Sequence, residues 1–536
     1  MKTNKPKTKA KIKAKHAARK PQAKGGQSAT RKKPAGKPQA GGGRPAQRKQ
    51  QSLANQSPGQ ARVQVGAPAA GATGTAASQP ATLCPVERLC GACQLLEVPY
   101  EKQLADKQAS LISLFDPVAN QATVFNAILG MDDPFHYRSK VVSPYAPGKK
   151  IPGSGQTARG RDDGRGRQAG KNNGRNNKPR HEILCGMYAA HSHRLVATDT
   201  CLIENQVAKS IVLAIRDLMP QFRLEPYRED TGTGFLRHAV VRVGHTSEEV
   251  LLTLVTNARQ FPGSKNFIRE LVRRCPEITT VVQNINTRQT NVILGEAEQV
   301  LYGPGFILDN ICGLSFRVSS HSFYQVNAVQ TEVLYRRAIE MAQLSGTETV
   351  LDAYCGTGTI GLVAARGFES SKRPAAAPVA EISGSGRATE ELPGGEAAAP
   401  GAAEQVRGAC AAHVIGVDNV ASAIRDATNN AKHNGIENAE FVTANASDFM
   451  RDLAEKEAQI DVLLMDPPRT GANETFLQAA CQLAPQRIVY ISCNPQTQLR
   501  DAEYLVKHGY TLHEIQPVDM FPHTAHVECI ALLSRE

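Results

Sequence analysis

The sequence contains no tryptophan, and aromatic residues make up only 5% of its 536 positions. It also lacks an apolar run of 18 or more residues, so we expect no membrane-spanning helix and no membrane partner. The lysine-rich N-terminus is not followed by an apolar stretch, so we do not expect a secretory signal. An apolar fraction of 41% is nevertheless sufficient for globular cores, and the length suggests two to four domains.

Acidic residues are missing from residues 1–83, which carry 18 lysines and arginines. Residues 147–180 are also basic, and the rest of the chain holds 35 basic and 48 acidic residues. Because residues 1–82 have almost no large apolar side chains, we interpret them as a disordered basic arm, and 147–180 as a flexible basic insertion. Such segments fit a polyanion such as RNA. The alternative is a solubilising tail without a partner.

Twelve cysteines are scattered along the chain without dense pairing, which is typical of a reducing cytoplasm. Cys84, Cys90 and Cys93 stand in a Cys-x5-Cys-x2-Cys pattern, which is difficult to explain by packing alone. Clustered thiolates ligate soft metal centres, either zinc or an iron–sulfur cluster. The spacing does not choose between the two metals. It also leaves Cys185 and Cys201 as alternatives for a fourth ligand.

The middle of the chain mixes two hydrophobic periodicities. Residues 97–115 and 205–218 have apolar positions at helical spacing, whereas 234–256 and 278–296 alternate or are β-branched. We therefore predict that residues 83–320 comprise the metal-binding cysteine segment and a smaller α+β central domain that binds RNA.

From Thr349 onward the pattern becomes strand, helix, strand. A Gly-Thr-Gly turn follows the first strand, and Asp418 ends the second. Asp418 follows Gly358 by 60 residues, but 43 of these form a Gly/Ala/Glu/Pro-rich tract at 368–410 that we interpret as a disordered insertion. Its removal restores the spacing of a strand-end acid that binds a ribose diol. S-adenosylmethionine fits this pattern better than a dinucleotide does.

Polar residues follow two further predicted strands. Asn445 comes after the third strand, and Asp466 ends the fourth before Pro467, Pro468 and Arg469. A carboxylate followed by two prolines would form a stiff wall at the carboxyl edge of the sheet. The alternative is an ordinary proline turn.

Cys493 follows the short apolar run 488–491, which predicts a buried strand. A thiol at the carboxyl end of such a strand lies where α/β sheets place their chemistry, although many free cysteines are only small buried apolar residues. Glu528 enters a predicted terminal strand and is either a solvated charge or a carboxylate directed into the site.

Several of these motifs occur together in one known family. They are the Cys84/Cys90/Cys93 triplet, Ser192-His193 followed by Cys201, Phe323-Tyr-Gln325-Val-Asn, Asp352-Ala-Tyr-Cys-Gly-Thr-Gly, Asp466-Pro-Pro-Arg469, Ser492-Cys-Asn-Pro and Pro522-His-Thr-Ala-His-Val-Glu528. From Cys84 to its end, the chain resembles the RNA uridine-C5 methyltransferase family in its iron–sulfur branch. The pairing of Asp-Pro-Pro-Arg with Ser-Cys-Asn-Pro is the most specific part of this resemblance.

The resemblance implies an α/β fold with a Rossmann-like, S-adenosylmethionine-dependent domain at residues 321–536. It also implies that Cys201, rather than Cys185, completes the ligands of a [4Fe-4S] cluster. The implied cofactor contacts are Gln325, Tyr354, Thr359, Asp418, Asn445 and Asp466. Thr359 stands where many members have asparagine, and Asp418 where many have glutamate.

The resemblance further implies that the Cys493 thiolate adds to C6 of a uracil and that Glu528 removes the C5 proton. Asp466 and Arg469 would orient the site, and the target uridine would leave its stack. The implied substrate is 23S ribosomal RNA, with the T-loop uridine of transfer RNA as the alternative. We expect a cytoplasmic monomer. A rival hypothesis is a catalytically idle RNA-binding assembly factor with the same fold.

Overall fold

The computed structural model describes residues 83–152, 181–368 and 410–535. The predicted arm at 1–82 lies outside these ranges, as does most of each predicted insertion. The first predicted insertion begins later than expected, because Pro147 and Lys150 still pair with the neighbouring strand. The start at residue 147 is therefore corrected: these residues continue a strand that ends at Lys150.

Nine helices and seventeen strands form within the described ranges. The helices are α1 Tyr100–Phe115, α2 Gln206–Leu218, α3 Ser264–Arg274, α4 Ala328–Ala342, α5 Thr359–Arg366, α6 Ala421–His433, α7 Ala446–Glu455, α8 Glu474–Leu483 and α9 Pro495–Lys507. The strands up to the middle of the chain are β1 Val124–Phe125, β2 Lys140–Lys150, β3 His181–Tyr188, β4 Leu195–Ala197, β5 Leu236–Val243, β6 Val250–Thr256, β7 Ile278–Ile285, β8 Ala297–Tyr302, β9 Ile307–Ile311 and β10 Leu314–Val318. The remaining strands are β11 Thr349–Ala353, β12 His413–Asp418, β13 Ala439–Thr443, β14 Val462–Met465, β15 Arg487–Ser492, β16 Thr511–Val518 and β17 Glu528–Ser534.

An eight-stranded sheet in the order β1-β16-β17-β15-β14-β11-β12-β13 contains most of the C-terminal part of the chain. Strands β11 to β15 pair in parallel, whereas β17 is antiparallel to both β15 and β16. The strand order reverses at β11, which lies between β12 and β14. In open α/β sheets, the crevice beside the carboxyl ends of strands at such a point binds ligands.

A second sheet has the order β4-β3-β2-β5-β6-β7-β8 and is mainly antiparallel. One of its faces packs against α2 and α3, because alternate residues such as Val241 and Leu252 point into a common apolar core. The predicted mixture of helices and strands is thus confirmed. None of the helices in the described ranges is long and apolar enough to cross a lipid bilayer.

The segment after the cysteine triplet lies against the C-terminal sheet. Strand β1 pairs in parallel with β16, and Leu129 bridges Val518. Helix α1 buries Leu111 and Phe115 in the same core as β15 and β17. Residues far apart in sequence therefore support the edge of the sheet that carries the strand-end residues.

Candidate active site

Cys493 and Glu528 are brought together by the pairing of β15 with β17. Ser492, the last residue of β15, lies opposite Cys529, so the next position along both strands places Cys493 alongside Glu528. Glu528 is only 5% exposed, whereas Cys493 is half-buried. Glu528 is therefore a buried carboxyl group next to the thiol, and its interpretation as a solvated surface charge is wrong.

Burial and mutual repulsion set the protonation of this group. Burial, and secondly the charge of Asp466, raises the pKa of Glu528 to about 8. Burial raises the pKa of Asp466 to about 7. The pKa of the Cys493 thiol is raised by burial and then by Glu528. Arg469 opposes the shift in both Cys493 and Glu528. Near neutral pH the site thus holds dissociable protons beside one guanidinium group.

The Pro-Pro-Arg segment is fastened to the cysteine turn through backbone acceptors. The Arg469 carbonyl accepts hydrogen bonds from Asn494 Nδ2 at 2.9 Å and from Thr497 Oγ1 at 3.2 Å. Asn494 is the N-cap of α9, so the thiol directly precedes a helix N-terminus, where the helix dipole favours negative charge. These bonds fix the relative positions of the strand ends that carry Asp466 and Cys493.

The glycine-rich turn after β11 meets the end of β12. The Gly356 amide donates to Asp418 Oδ2 at 3.1 Å, and the Val420 amide donates to Asp418 Oδ1 at 2.8 Å. Gly356 has φ of 55°, and a Cβ placed there would meet nothing within 4 Å among the described residues. Tyr354, with φ of 66°, adopts the same left-handed conformation although it has a side chain. Such strain is typical of functional turns, and here the turn leaves open space beside a fixed carboxylate.

The other predicted cofactor residues differ in how they are held. Asn445 caps α7 and accepts from the Ser447 amide at 3.0 Å, and it is exposed beyond the end of β13. Gln325 is partly buried in the loop before α4. The Thr359 hydroxyl lies 2.9 Å from the hydroxyl of Tyr335, so it contacts the interior. Their cofactor roles remain predictions.

The four predicted metal ligands line one cavity. Cys84, Cys90, Cys93 and Cys201 share its walls with Leu96, Met187 and Leu202. Burial, and secondly Cys201, raises the pKa of Cys93 to about 12, so thiolates would accumulate here only with a compensating cation.

Cys185, in contrast, is 1% exposed in the apolar core beneath α2 and does not line this cavity. No three cysteine, histidine or acidic side chains in the described ranges are arranged to hold a metal ion. A single ion requires its ligands close together, whereas the thiolates around an iron–sulfur cluster each bind a different iron. The four cysteines thus line one cavity, and the cluster that they are expected to hold stays a prediction.

A hydrogen-bonded contact between Gln103 and the loop before Glu528 was not predicted from the sequence. Gln103 Oε1 accepts from the His523 amide at 2.9 Å, and its Nε2 donates to the carbonyls of Leu95 at 2.9 Å and Val98 at 2.8 Å. The His523 carbonyl in turn accepts from the amides of Gln94 and Leu95, both at 3.0 Å. The chain after the cysteine triplet therefore holds the loop that leads to Glu528.

A second fastening of the same loop is ionic. Lys107 Nζ lies 2.7 Å from Asp519 Oδ1, and both side chains are almost completely buried. The Tyr100 hydroxyl donates to the other oxygen of Asp519 at 2.9 Å. The pattern Pro-His-Thr-Ala-His marked the loop in the sequence, but nothing marked its partners on α1.

The family model described as tRNA (Uracil-5-)-methyltransferase matches residues 410–536. An uncharacterised RNA methyltransferase of Oceanobacillus iheyensis is 35% identical over 447 residues, covering 83% of this chain and 81% of that protein. One from Staphylococcus aureus is 35% identical over 446 residues, covering 83% and 82%. One from Halalkalibacterium halodurans is 33% identical over 451 residues, covering 84% and 82%.

Among solved structures, the tRNA (uracil-54, C5)-methyltransferase of Pyrococcus abyssi, in complex with S-adenosyl-L-homocysteine, has a similar fold. The TM-score is 0.56 at 23% identity, with 83% of this chain and 86% of that chain covered. The long matches to RNA methyltransferases, together with the uracil-5 family model over the segment that holds Cys493 and Glu528, agree with the resemblance found from the motifs. The chain belongs to the RNA uracil-C5 methyltransferase family.

Proposed function

We propose that the protein forms 5-methyluridine in 23S ribosomal RNA through a covalent bond between Cys493 and C6 of the target uracil. The observation that carries this proposal is the pairing of β15 with β17, which sets the Cys493 thiol beside the buried Glu528 carboxyl group. A nucleophile and a base must both reach one substrate ring, and these two side chains lie at the same edge of the sheet.

The reaction needs both groups because uracil C5 is a weak nucleophile. Addition of the Cys493 thiolate to C6 breaks the C5–C6 double bond and leaves the electron pair at C5 as an enolate. Bound S-adenosylmethionine would supply the methyl group that this carbon takes up, and it would leave as S-adenosylhomocysteine once its bond from sulfur to that methyl breaks. Glu528 then accepts the C5 proton, the double bond re-forms, and the carbon–sulfur bond to Cys493 breaks. The Cys493 thiolate is thus regenerated, and the proton that Glu528 accepted is released to solvent.

Cys493 and Glu528 must both lose a proton before this series of steps can begin. With its pKa raised to about 8, Glu528 is mostly protonated near neutral pH, and the raised pKa of Cys493 keeps the thiol protonated too. Arg469 favours the ionised form of both groups. We propose that Arg469 sets the fraction of enzyme with an ionised nucleophile and base, while Asp466 orients the substrate or the cofactor.

The cofactor would lie across the carboxyl ends of β11 and β12. The open space at Gly356 lets the backbone approach a ligand, and Asp418 is held by two amides where a carboxylate can accept from ribose hydroxyls. The further contacts that we assign to S-adenosylmethionine are Gln325, Tyr354, Thr359, Asn445 and Asp466.

We also propose that Cys84, Cys90, Cys93 and Cys201 hold a [4Fe-4S] cluster. Their shared cavity supports this assignment, and the burial of Cys185 outside that cavity favours Cys201 as the fourth ligand. The cluster would cross-link the segment around Cys93 to the chain at Cys201 and provide the positive charge that four clustered, partly buried thiolates require. The segment that it stabilises continues directly into the residues that hold His523.

The choice of RNA rests on different arguments. The assignment to 23S ribosomal RNA rests on the resemblance to the iron–sulfur branch of the family. Transfer RNA is the second candidate, because the family model and the Pyrococcus abyssi protein both carry tRNA in their descriptions. The rival role as a non-catalytic RNA-binding factor would require that the juxtaposed thiol and carboxyl group have no chemical use.

The test is transfer of labelled methyl from S-adenosylmethionine to purified ribosomal and transfer RNA pools from a strain that lacks the gene. We expect label in 23S ribosomal RNA as 5-methyluridine, with none after Cys493→Ser. Label confined to transfer RNA would overturn the ribosomal assignment. RNA binding without label in either pool would favour the assembly factor.

A further inference from the structure

Two cations lie directly opposite each other in the central sheet, outside the site described above. Lys140, the first residue of β2, is the antiparallel partner of Arg242 on β5, so the two side chains share one face of the sheet. Lys140 is half-buried, and Arg242 is only 5% exposed. Like charges at directly opposed positions repel, and burial makes this arrangement more costly.

Nothing in the described part of the chain neutralises this pair. The Lys140 ammonium group has no hydrogen-bond or ion-pair partner there. Arg242 Nη2 donates to the neutral Ser322 carbonyl at 2.6 Å, while Arg242 Nε is buried without a hydrogen-bond partner. The nearby Tyr324 hydroxyl already donates to Asp309 Oδ2 at 3.1 Å. Burial, with a further contribution from Arg242, lowers the pKa of Lys140 to about 8.

The pair lies next to the loop that carries a predicted cofactor residue. Ser139, which precedes Lys140, donates from its amide at 2.7 Å and from its hydroxyl at 2.9 Å to the Val326 carbonyl. On the other side, the Phe323 carbonyl accepts from Thr357 Oγ1 of the glycine-rich turn at 3.5 Å. An anion at Lys140 would therefore be close to Gln325 and to the carboxyl edge of the C-terminal sheet.

We propose that Lys140 and Arg242 form a binding site for one backbone phosphate of the RNA strand that enters the active site. This inference rests on the proposed RNA substrate. The half-buried Lys140 would contact the phosphate directly through its ammonium group. Arg242, which is buried and bonded to the Ser322 carbonyl, would add positive potential without direct contact.

The charge distribution of the folded body favours such a local site. Outside residues 1–83 and 147–180, the chain carries 35 basic and 48 acidic residues, so the body as a whole repels a polyanion. A phosphate held at the Lys140–Arg242 pair removes a repulsion that the fold otherwise leaves uncompensated. It also fixes the register of the strand, because phosphate contacts position a nucleic acid without reading its bases.

The test compares the affinities of Lys140→Gln, Lys140→Arg and the native full-length protein for a 23S ribosomal RNA transcript over a range of salt concentrations. We expect Lys140→Gln to weaken binding about 10-fold at low salt and to reduce the slope of log affinity against log salt by about one. Lys140→Arg should retain most of the native affinity and most of the native salt slope. Lys102→Gln is the matched control, because Lys102 is an exposed lysine paired with Asp106 on α1.

Two outcomes would overturn the site. An unchanged affinity and salt slope in Lys140→Gln would show that no phosphate is bound there. A loss of S-adenosylmethionine affinity with unchanged RNA binding, measured by calorimetry, would assign the pair to the carboxylate of the cofactor. If the native protein methylated no RNA, the proposed function would fail, but the RNA affinities of the variants would still decide whether the phosphate site exists.

Discussion

Gln103 and His523 lie 420 positions apart in the chain and make two hydrogen bonds with each other. The His523 amide donates to Gln103 Oε1 at 2.9 Å, and Gln103 Nε2 lies 3.2 Å from His523 Nδ1. His523 has a left-handed backbone with φ of 65°, so this loop conformation needs external support. The contact links the chain that follows the cysteine triplet to the loop that leads to Glu528.

Replacement of Gln103 should therefore affect Glu528, although the two residues are not in contact through a hydrogen bond. We expect Gln103→Met to slow turnover and to move the pKa of Glu528 down towards its ordinary value, because the loosened loop exposes the carboxyl group. Loss of the buried hydrogen bonds should also cost about 1–3 kcal/mol of unfolding free energy. The pH dependence of kcat and amide hydrogen exchange at residues 523–527 report the effect.

Gln103→Glu serves as the matched variant. It keeps the acceptor for the His523 amide but loses the donor to Leu95 and Val98. Its pH profile should lie between those of the native protein and Gln103→Met. A profile unchanged in both variants would contradict a positioning role for Gln103.

The buried carboxyl group should also be visible in stability. The pKa of Glu528 is raised to about 8 in the folded chain, whereas in the unfolded chain it is ordinary. Below about pH 4.5 the group is protonated in both states; as the pH rises towards about 8, only the unfolded chain ionises, so stability is lost.

Glu528→Gln removes this effect. Between about pH 5 and pH 8, the native protein should lose unfolding free energy on the order of 3 kcal/mol through Glu528. Glu528→Gln should not show this loss. Thermal unfolding at both pH values measures the difference. If the unfolding temperatures of the two proteins changed by the same amount between these pH values, Glu528 would not titrate as a buried acid.

Arg469 should tune the ionisation of Cys493 and Glu528, the proposed nucleophile and base. We expect Arg469→Met to move the alkaline rise of kcat about one pH unit higher, because a nearby positive charge is lost. Arg469→Lys should keep most of the native profile. The hydrogen bonds from Asn494 and Thr497 reach the backbone carbonyl of Arg469, so both variants keep the turn. If Arg469→Met and Arg469→Lys had the same pH profile, the charge of Arg469 would have no effect on this ionisation.

Deletion of residues 1–82 tests the role of the basic arm. We expect weaker RNA binding and a flatter dependence on salt, because 18 basic residues are removed with no acidic residue. Methyl transfer should persist, because the proposed catalytic residues lie elsewhere. If affinity and salt slope both stay unchanged, the arm is a solubilising tail.

Strand-end residues of the C-terminal sheet were predictable, because local patterns determine them. Apolar runs that end at Asp418 or lie just before Asp466 and Cys493 each predict a parallel strand that brings the residue to the carboxyl edge. The composition of residues 368–410 was enough to identify them as an insertion, and their removal gives the expected spacing between Gly358 and Asp418.

Long-range pairing was not predictable in the same way. Glu528 lies beside Cys493 only because β17 inserts antiparallel between β15 and β16, a register that no local signal specifies. The cysteine spacing treats Cys185 and Cys201 alike; the resemblance favours Cys201, and only the tertiary structure shows that Cys185 lies in a separate apolar core. Gln103 and Lys140 belong to ordinary amphipathic segments, so their partners emerge only from the tertiary structure.

The most direct test of the account is to look for a covalent adduct with Glu528→Gln. Thiolate addition and methyl transfer need no base at C5, so both should proceed, whereas an amide cannot remove the C5 proton. We expect a protein–RNA species that carries labelled methyl, survives denaturing electrophoresis and disappears when Cys493→Ala is added. An active Glu528→Gln enzyme without this species would contradict the assignment of Glu528 as the base and of Cys493 as its covalent partner.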